Sequence, residues 1–232
     1  MAHCKTLWRS GWLLLTLWVS TNAWALDNYR ASYTLEIRGM SAGTVTHEAI
    51  FTPQTYRVDT FAKPSSAAKI LGYGDIRETV TGLLQGSEVL PEHYQRSMDG
   101  DASFRLDYVF SAAKKEIAAQ VGSEASVFPY PAGEQPLDIL SMVVQSLLDA
   151  EKGAVRDSYA IISEDTLRMY RVEALPDEKT ADGQTVKVFR QVHDNRETRI
   201  YLATQPWRLV SLTQAKDGKI RFALTLLDYQ TL

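Results

Sequence analysis

Three histidines beyond residue 25 are the first side chains to consider for metal or acid–base chemistry. His47, His93 and His193 lie in separate segments and show neither His-x-His nor HExxH spacing. His47 and His193 are each followed by an acidic residue, but adjacent strand residues point to opposite faces of a sheet, which does not suit shared metal ligation. We therefore predict surface or internally hydrogen-bonded histidines, with no metal site and no cofactor.

A serine and a lysine also have a spacing that is used in catalysis. Ser66 and Lys69 form S-x-x-K, a motif that places both side chains on one helix face in penicillin-binding proteins. The S-D-N and K-T-G elements that accompany it there are absent, and no G-x-S-x-G nucleophile motif occurs. The match is therefore interpreted as chance, and the sequence predicts no catalytic residue.

Four arginines near the C-terminus could recognise an anionic group such as phosphate. They are Arg190, Arg196, Arg199 and Arg208. The chain contains 28 acidic against 25 basic residues, for a net charge of −3. This balance favours arginines on solvated faces opposite carboxylates, and it argues against nucleic-acid binding.

Residues 136–152 form the longest segment with helical periodicity after residue 25. One apolar face recurs at the spacing i, i+3, i+4, i+7, and further apolar residues beside it indicate burial on more than one side. Pro136 suits the first helical turn and Gly153 suits the end. The helix either plugs a solid core, which we favour, or covers a ligand cavity. For the second case the predicted ligand-binding residues are Met142, Val143 and Trp207.

Most of the remaining chain alternates between apolar and polar residues, the period of half-buried strands. Residues 29–38 show the alternation most clearly, and Asp217-Gly218 predicts a two-residue hairpin. Residues 65–72 predict a short helix, and residues 176–183 an exposed loop. About a dozen strands exceed what a flat sheet carries without curling. The predicted fold is mainly β, an antiparallel meander forming a curved, partly closed β-barrel with one central buried α-helix.

The first 25 residues have the pattern of a signal peptide. Lys5 and Arg9 form a basic region, residues 13–19 form an apolar run too short for a permanent membrane anchor, and Ala23 and Ala25 give a cleavage signal. We therefore predict export and a soluble periplasmic protein that begins at residue 26.

Residues 26–232 are predicted to form a single β-rich domain with no transmembrane segment. Removal of Lys5 and Arg9 changes the net charge from −3 to −5. Cys4 is the only cysteine of the chain, so the processed protein would have no disulfide and no thiolate metal site.

Three segments carry a resemblance to a known family. They are the opening strand YRASYTLEIRGMSAG, the helix PLDILSMVVQSLL, and a C-terminal block with VKVFRQVHDNRETRIYLATQPWRLVSL followed by LTLLDYQ. They are similar to the aromatic first strand, the mid-chain helix and the closing meander of the DUF3108 family of exported bacterial proteins. The resemblance covers nearly all of residues 26–232. It implies an exported β-rich fold and supplies no activity.

Three functions are compatible with this fold. The first is a non-catalytic periplasmic envelope protein that binds an apolar or amphiphilic ligand, or a partner protein, because barrel mouths are common ligand sites. It predicts a large dry cavity under the helix. The alternative is an envelope polysaccharide or peptidoglycan hydrolase with paired carboxylates, which predicts an open cleft and a raised pKa on one carboxyl group. A purely structural role in envelope assembly is a third alternative.

Overall fold

The computed structural model describes residues 26–153 and 155–232. The signal peptide predicted for residues 1–25 lies outside these ranges. Along the described chain there are fourteen strands and two helices. The strands are β1 Tyr29–Ile37, β2 Met40–Phe51, β3 Thr55–Pro64, β4 Ile76–Gln85, β5 Glu88–Met98, β6 Asp101–Ser111, β7 Glu116–Val121, β8 Glu124–Pro129, β9 Ser158–Ser163, β10 Thr166–Lys179, β11 Thr185–His193, β12 Arg196–Thr204, β13 Trp207–Lys216 and β14 Lys219–Thr231; the helices are α1 Ser66–Ile70 and α2 Ile139–Glu151.

All fourteen strands belong to one antiparallel sheet in the order β8-β7-β6-β5-β4-β3-β2-β1-β14-β13-β12-β11-β10-β9. Except for β8 and β9, strands that follow each other in sequence pair with each other, and the pairing of β1 with β14 joins the two halves of the sheet. Strands β8 and β9 are the edges, and no hydrogen bonds between them close the sheet. The predicted β meander with a curved, partly closed form is confirmed.

The segment that precedes α2 covers the free edge of β9. Leu137 N donates to Ala160 O at 2.9 Å, and Ile162 N donates to Leu137 O at 2.9 Å. On the other side of the gap, the Tyr108 hydroxyl of β6 donates to the carbonyl oxygen of Glu164 at 2.9 Å. These bonds occupy backbone groups that an uncovered edge would offer to another chain.

Two predicted boundaries are wrong for reasons that lie outside the local sequence. Pro136 was expected in the first turn of the helix, but α2 begins at Ile139. Leu137 is held in extended conformation by its bonds to β9, which keeps Pro136 out of the helix. The predicted loop at residues 176–183 is shorter than expected, because β10 continues to Lys179 and pairs with β11.

Helix α2 is buried inside the curve of the sheet. Nine of its thirteen residues are buried, so it contacts protein on more than one side. Val144 and Leu147 are both 0% exposed. The helix packs against β4, β5, β9 and β13. This confirms the central buried helix that the apolar periodicity predicted.

The helix fills only one end of the interior. We call the end with the turns at residues 52–54 and 86–87 the α2 end, and the end with the turns at residues 38–39 and 217–218 the open end. Along the inner face of β1, Tyr29 and Tyr33 are buried, whereas Leu35 and Ile37 are half-buried. The same decrease in burial runs along the inner faces of β3 and β4. The inner face is therefore covered at the α2 end and partly uncovered at the open end.

Candidate functional site

The first turn of α2 is built around a buried carboxylate. Asp138 is the N-cap, and its Oδ1 accepts hydrogen bonds from Leu140 N at 2.9 Å and Ser141 N at 3.0 Å. The Ser141 hydroxyl donates to Oδ2 of Asp138, and the Tyr56 hydroxyl lies 2.7 Å from Ser141 Oγ. Asp138 is 0% exposed, and burial raises its pKa to about 6. The Asp138 carboxylate thus satisfies two of the free N–H groups of the helix start, which is a structural role.

The ring of Tyr56 reaches α2 because the neighbouring inner-face position on β4 is a glycine. A Cβ atom at Gly82 would lie 2.7 Å from Tyr56 Cε1 and 2.3 Å from the carbonyl oxygen of Leu90. Only a residue without a side chain permits this approach. Gly82 therefore leaves the space that the ring of Tyr56 occupies.

The middle of α2 is fixed to the turn between β4 and β5 by one amide. Oε1 of Gln145 accepts from Val89 N at 2.8 Å, and its Nε2 donates to Ser87 O at 2.7 Å. The same Nε2 donates to Oδ1 of Asp149 at 2.8 Å. Every polar atom of this buried amide has a partner, as buried polar groups require.

The last turn of α2 carries a second buried carboxylate. Oδ2 of Asp149 accepts from Arg156 Nε at 3.0 Å and from the Tyr159 hydroxyl at 2.9 Å. A terminal nitrogen of Arg156 also donates to Oε1 of Glu88 at 2.8 Å. The two carboxylates share one arginine, so each of them has a cationic partner within the protein.

The carboxylates of the interior do not form the cleft that a hydrolase needs. Burial raises the pKa of Asp138 and of Glu78, as the hydrolase alternative requires of one acid. However, Asp138 is 0% exposed and both of its oxygens accept hydrogen bonds from its own helix. Glu78 is half-buried and accepts from the Tyr94 hydroxyl at 3.3 Å. A substrate therefore has no access to Asp138, so the two do not act as a pair.

The predicted ligand-binding residues lie at the α2 end. Met142 is 5% exposed and lines a cavity of about 20 Å³ together with Tyr159 and Phe189. Such a volume accommodates about one water molecule. Val143 and Trp207 are half-buried and pack against the second apolar cluster, formed by the end of α2 with β11 and β12. The large cavity that the ligand hypothesis predicted under the helix is therefore not found beside Met142.

The structure does not bring the three histidines together with one another or with the S-x-x-K segment: they lie on β2, β5 and β11, and that segment forms α1. Burial lowers the pKa of His47 to about 4. Lys69 of the S-x-x-K segment lies on α1, with its Nζ 3.5 Å from Asp75. The described residues contain no group of three or more His, Cys, Asp or Glu side chains that could hold a metal ion. The nearest polar partners of the histidines are Thr60 for His47, Asp107 for His93 and Arg168 for His193.

The four predicted arginines do not converge. Arg190 Nε lies 3.2 Å and Arg199 Nε 2.6 Å from Glu197, so these two are paired as the sequence favoured. Arg208 donates to the carbonyl oxygens of residues 205 and 206 at the α2 end. Arg196 lies at the opposite, open end, in the first residue of β12.

The open end of the inner face carries a depression of about 510 Å³. Ile37 lies four residues after the inward-facing Tyr33 on β1, so both side chains are on the same face of the sheet. Ile37 pairs with Phe222 of β14. Phe222 in turn pairs with Gln214 of β13, so this row of side chains faces inward. The volume falls within the range of about 300–1,000 Å³ that is usual for small-molecule sites. Its lining residues are Ile37, Arg38, Arg196, Gln214, Lys216, Asp217, Arg221 and Phe222.

Sequence reasoning found Arg196 but missed the other charged residues of this depression. Arg38, Lys216 and Arg221 come from β-turns and strand ends at opposite ends of the sequence, and only the pairing of β1 with β14 brings them together. The like charges at Arg196 and Lys216, which flank the β12–β13 hairpin, were the available signal.

Comparison with known proteins adds no relative. No protein-family model matches the chain, and no curated protein matches it significantly. The resemblance to DUF3108 therefore stays a prediction. In the part of the chain that the structure describes, no helix has both the length and the apolar character to cross a bilayer.

Proposed function

We propose that this protein is a non-catalytic component of the bacterial cell envelope that holds an amphiphilic ligand at the open end of its curved sheet. One observation carries the proposal: on β1 and β14 the inner face is apolar from the α2 end to the open end, but α2 covers only one end of it. At the other end, the half-buried residues Ile37 and Phe222 line a depression of ligand size.

A small amphiphile matches this surface better than an apolar molecule does. The floor of the depression is apolar at Ile37 and Phe222, while its rim is charged. Toward α2 the floor continues with Leu35 and Leu224, which pack against the main core. A molecule with an apolar chain and a polar head would place each part against a surface of its own kind.

The non-catalytic assignment rests on where the acidic groups lie. The two buried carboxylates of α2 hold the helix in place, through the N-cap at Asp138 and through the pairing of Asp149 with Arg156. At the depression itself, Asp217 accepts from Asn195 Nδ2 at 2.8 Å. A single carboxylate of this kind does not supply the acid and base of a glycosidase.

Export is the part of the proposal that concerns residues 1–25. It rests on the basic region, apolar run and cleavage signal described above, which together are typical of a secreted bacterial protein. N-terminal sequencing of the chain recovered from a periplasmic fraction tests it, with Leu26 as the expected first residue. Recovery of Met1 in the inner-membrane fraction would contradict export without affecting the ligand site.

The ligand site is tested with an indole placed in the depression. Phe222→Trp combined with Trp207→Phe moves the reporter to the open end, and both changes keep an aromatic side chain. Dodecyl maltoside and dodecyl phosphate, each titrated below its micellar concentration, should shift the emission of this variant to shorter wavelength in a saturable manner, because the indole loses contact with water.

The matched control is the parent protein, whose Trp207 lies at the α2 end. Its emission should show no saturable change with either amphiphile. A saturable shift in the parent alone would place the ligand beside α2, as the sequence predicted from Met142, Val143 and Trp207. No shift in either protein with either amphiphile would reject the proposed function and leave binding of a partner protein.

A further inference from the structure

The rim of the open-end depression has a charge opposite to that of the whole chain. Four of its side chains are cationic: Arg38, Arg196, Lys216 and Arg221. Asp217 is the one acidic residue that lines it, whereas the full chain has a net charge of −3. Positive charge is therefore concentrated at this rim in a protein whose net charge is negative. We call these four residues the basic rim.

The basic rim is not neutralised by neighbouring acids. Within residues 26–153 and 155–232, no carboxylate lies within 4.0 Å of a charged nitrogen of any of the four. A second depression, of about 610 Å³, gives the contrast: it shares Arg196 with the first, but its other strand residues on β12 and β13 belong to the opposite face of the sheet. There Arg199 lies 2.6 Å from Glu197, so its cation is already paired.

Two of the cations face each other directly. Arg196 and Lys216 are cross-strand partners at the start of β12 and the end of β13. Lys216 also pairs with Lys219 across the next hairpin. Like charges in directly opposite positions repel and destabilise a sheet. An anion bound at this point would remove the repulsion, since it attracts both partners.

A β-bulge brings the third cation to the rim. Gln214 pairs with Phe222 and Ala215 pairs with Ile220, which leaves Arg221 as the additional residue on β14. Bulges change the direction of a side chain and occur often beside functional sites. The carbonyl oxygen of Arg221 accepts from Arg38 N at 3.0 Å, so the bulge also fixes the backbone of the fourth cation.

One donor of the basic rim is buried without an acceptor. Arg221 Nε is out of contact with solvent and has no hydrogen-bond partner among the described residues. A buried donor without an acceptor is costly. Five side-chain atoms of the described residues are in this state, and Arg221 Nε is the one of them that belongs to the depression. The Arg221 side chain lines the depression, and guanidinium groups are well suited to phosphate and carboxylate oxygens, so an anion there would give this cation a partner.

We infer that the basic rim binds the anionic headgroup of the amphiphile, a phosphate or a carboxylate, while its apolar chain lies over Ile37 and Phe222 toward α2. The inference rests on the proposed function and adds to it the charge of the headgroup and the direction of the ligand. The head lies at the mouth, where Arg196 and Arg38 are exposed, and the chain points inward.

Isothermal titration calorimetry with two amphiphiles of equal chain length tests the inference. Dodecyl phosphate should bind at least about tenfold more tightly than uncharged dodecyl maltoside, and added salt should weaken the binding of dodecyl phosphate alone. Arg221→Gln and Arg196→Gln should each raise the dissociation constant for dodecyl phosphate about tenfold, because each removes a charge-assisted hydrogen bond, and leave that for dodecyl maltoside unchanged.

The control is Arg171→Gln, which removes one positive charge from an exposed position on β10 that does not line the depression. It should leave both dissociation constants unchanged. Arg196 is exposed, so Arg196→Gln should melt like the parent. A weaker binding of dodecyl phosphate by this variant would therefore not result from a loss of folded protein. Inorganic phosphate, titrated alone, shows whether a free anion suffices.

Three results would overturn the inference. Equal affinity for the two amphiphiles, unchanged by the variants, would keep the proposed ligand site and reject anion recognition. Binding of inorganic phosphate as tight as that of dodecyl phosphate would indicate a site for free anions and would reject the claim that the basic rim recognises the headgroup of an amphiphile. Absence of any binding by either amphiphile would reject the proposed function itself.

Discussion

The two ends of the interior are made by the same strands but treat polar groups in opposite ways. At the α2 end, Asp138, Gln145 and Asp149 are buried, and each accepts or donates several hydrogen bonds within the protein. At the open end, Arg196 and Lys216 face each other without an acid. The comparison teaches that burial alone does not identify a site: the hydrogen-bonded polar network holds the helix, and the unpaired cations mark the place where we propose a ligand.

The contrast between the two ends would be contradicted most clearly if the protein tolerated a buried charge at the α2 end. Val144→Asp places an unpaired carboxylate at a position that is 0% exposed, and it should abolish cooperative folding. Circular dichroism during heating should show no transition. Ile139→Asp, at a position 43% exposed in the first turn of the same helix, is the control and should melt normally. A normal melt of the Val144 variant would mean that α2 is peripheral.

Equal truncations at the two ends measure the difference in packing. Leu147→Ala removes a side chain that is 0% exposed and should lower the free energy of unfolding by about 2–5 kcal/mol. Leu224→Ala removes a half-buried side chain beside the depression and should cost about half as much or less, because fewer contacts are lost. Urea unfolding of both variants gives the two values. Equal losses would show that the open end is as well packed as the α2 end.

Asp138→Asn tests whether the polar network of the α2 end carries a proton-dependent contribution. Burial raises the pKa of folded Asp138 to about 6, against 3.8 for the ordinary carboxyl group. Between these values the folded state binds more protons, so the contribution of Asp138 to stability falls as pH rises through 6, by on the order of 2 kcal/mol. Asn keeps the N-cap and does not titrate, so urea unfolding at pH 4 and pH 6.5 should show a smaller fall in the variant.

The variant must be compared with the parent because His47 acts in the opposite direction. Burial lowers the pKa of His47 from 6.5 to about 4, so the folded state binds fewer protons than the unfolded state in this window. Its contribution to stability therefore rises with pH. His47 is present in both proteins and cancels in the difference. Identical pH dependence of the parent and Asp138→Asn would show that Asp138 ionises at its ordinary pKa.

The strands could be predicted because their signals are local. The alternation from residue 29 onward gave β1 to within one residue, and Asp217 and Gly218 both adopt the positive φ that their hairpin motif requires. The start of α2 was misplaced because the bonds of Leu137 to β9 depend on tertiary structure. The basic rim was missed for a similar reason: the bulge at Arg221 leaves no mark in the residue alternation.

The pairing of β1 with β14 also determines the order in which the sheet can form. Strand β1 is the first to be synthesised and β14 the last, yet they are neighbours at the centre, from Tyr29 opposite Thr231 to Ile37 opposite Phe222. Each half of the sheet can form from its own hairpins, but the two halves join only when β14 is complete. Among the strand pairings, this contact closes the longest loop of the chain. Until then the aromatic edge of β1 stays unpaired and open to other chains. A nascent chain that stops before β14 would therefore expose the middle of the future sheet rather than its margin.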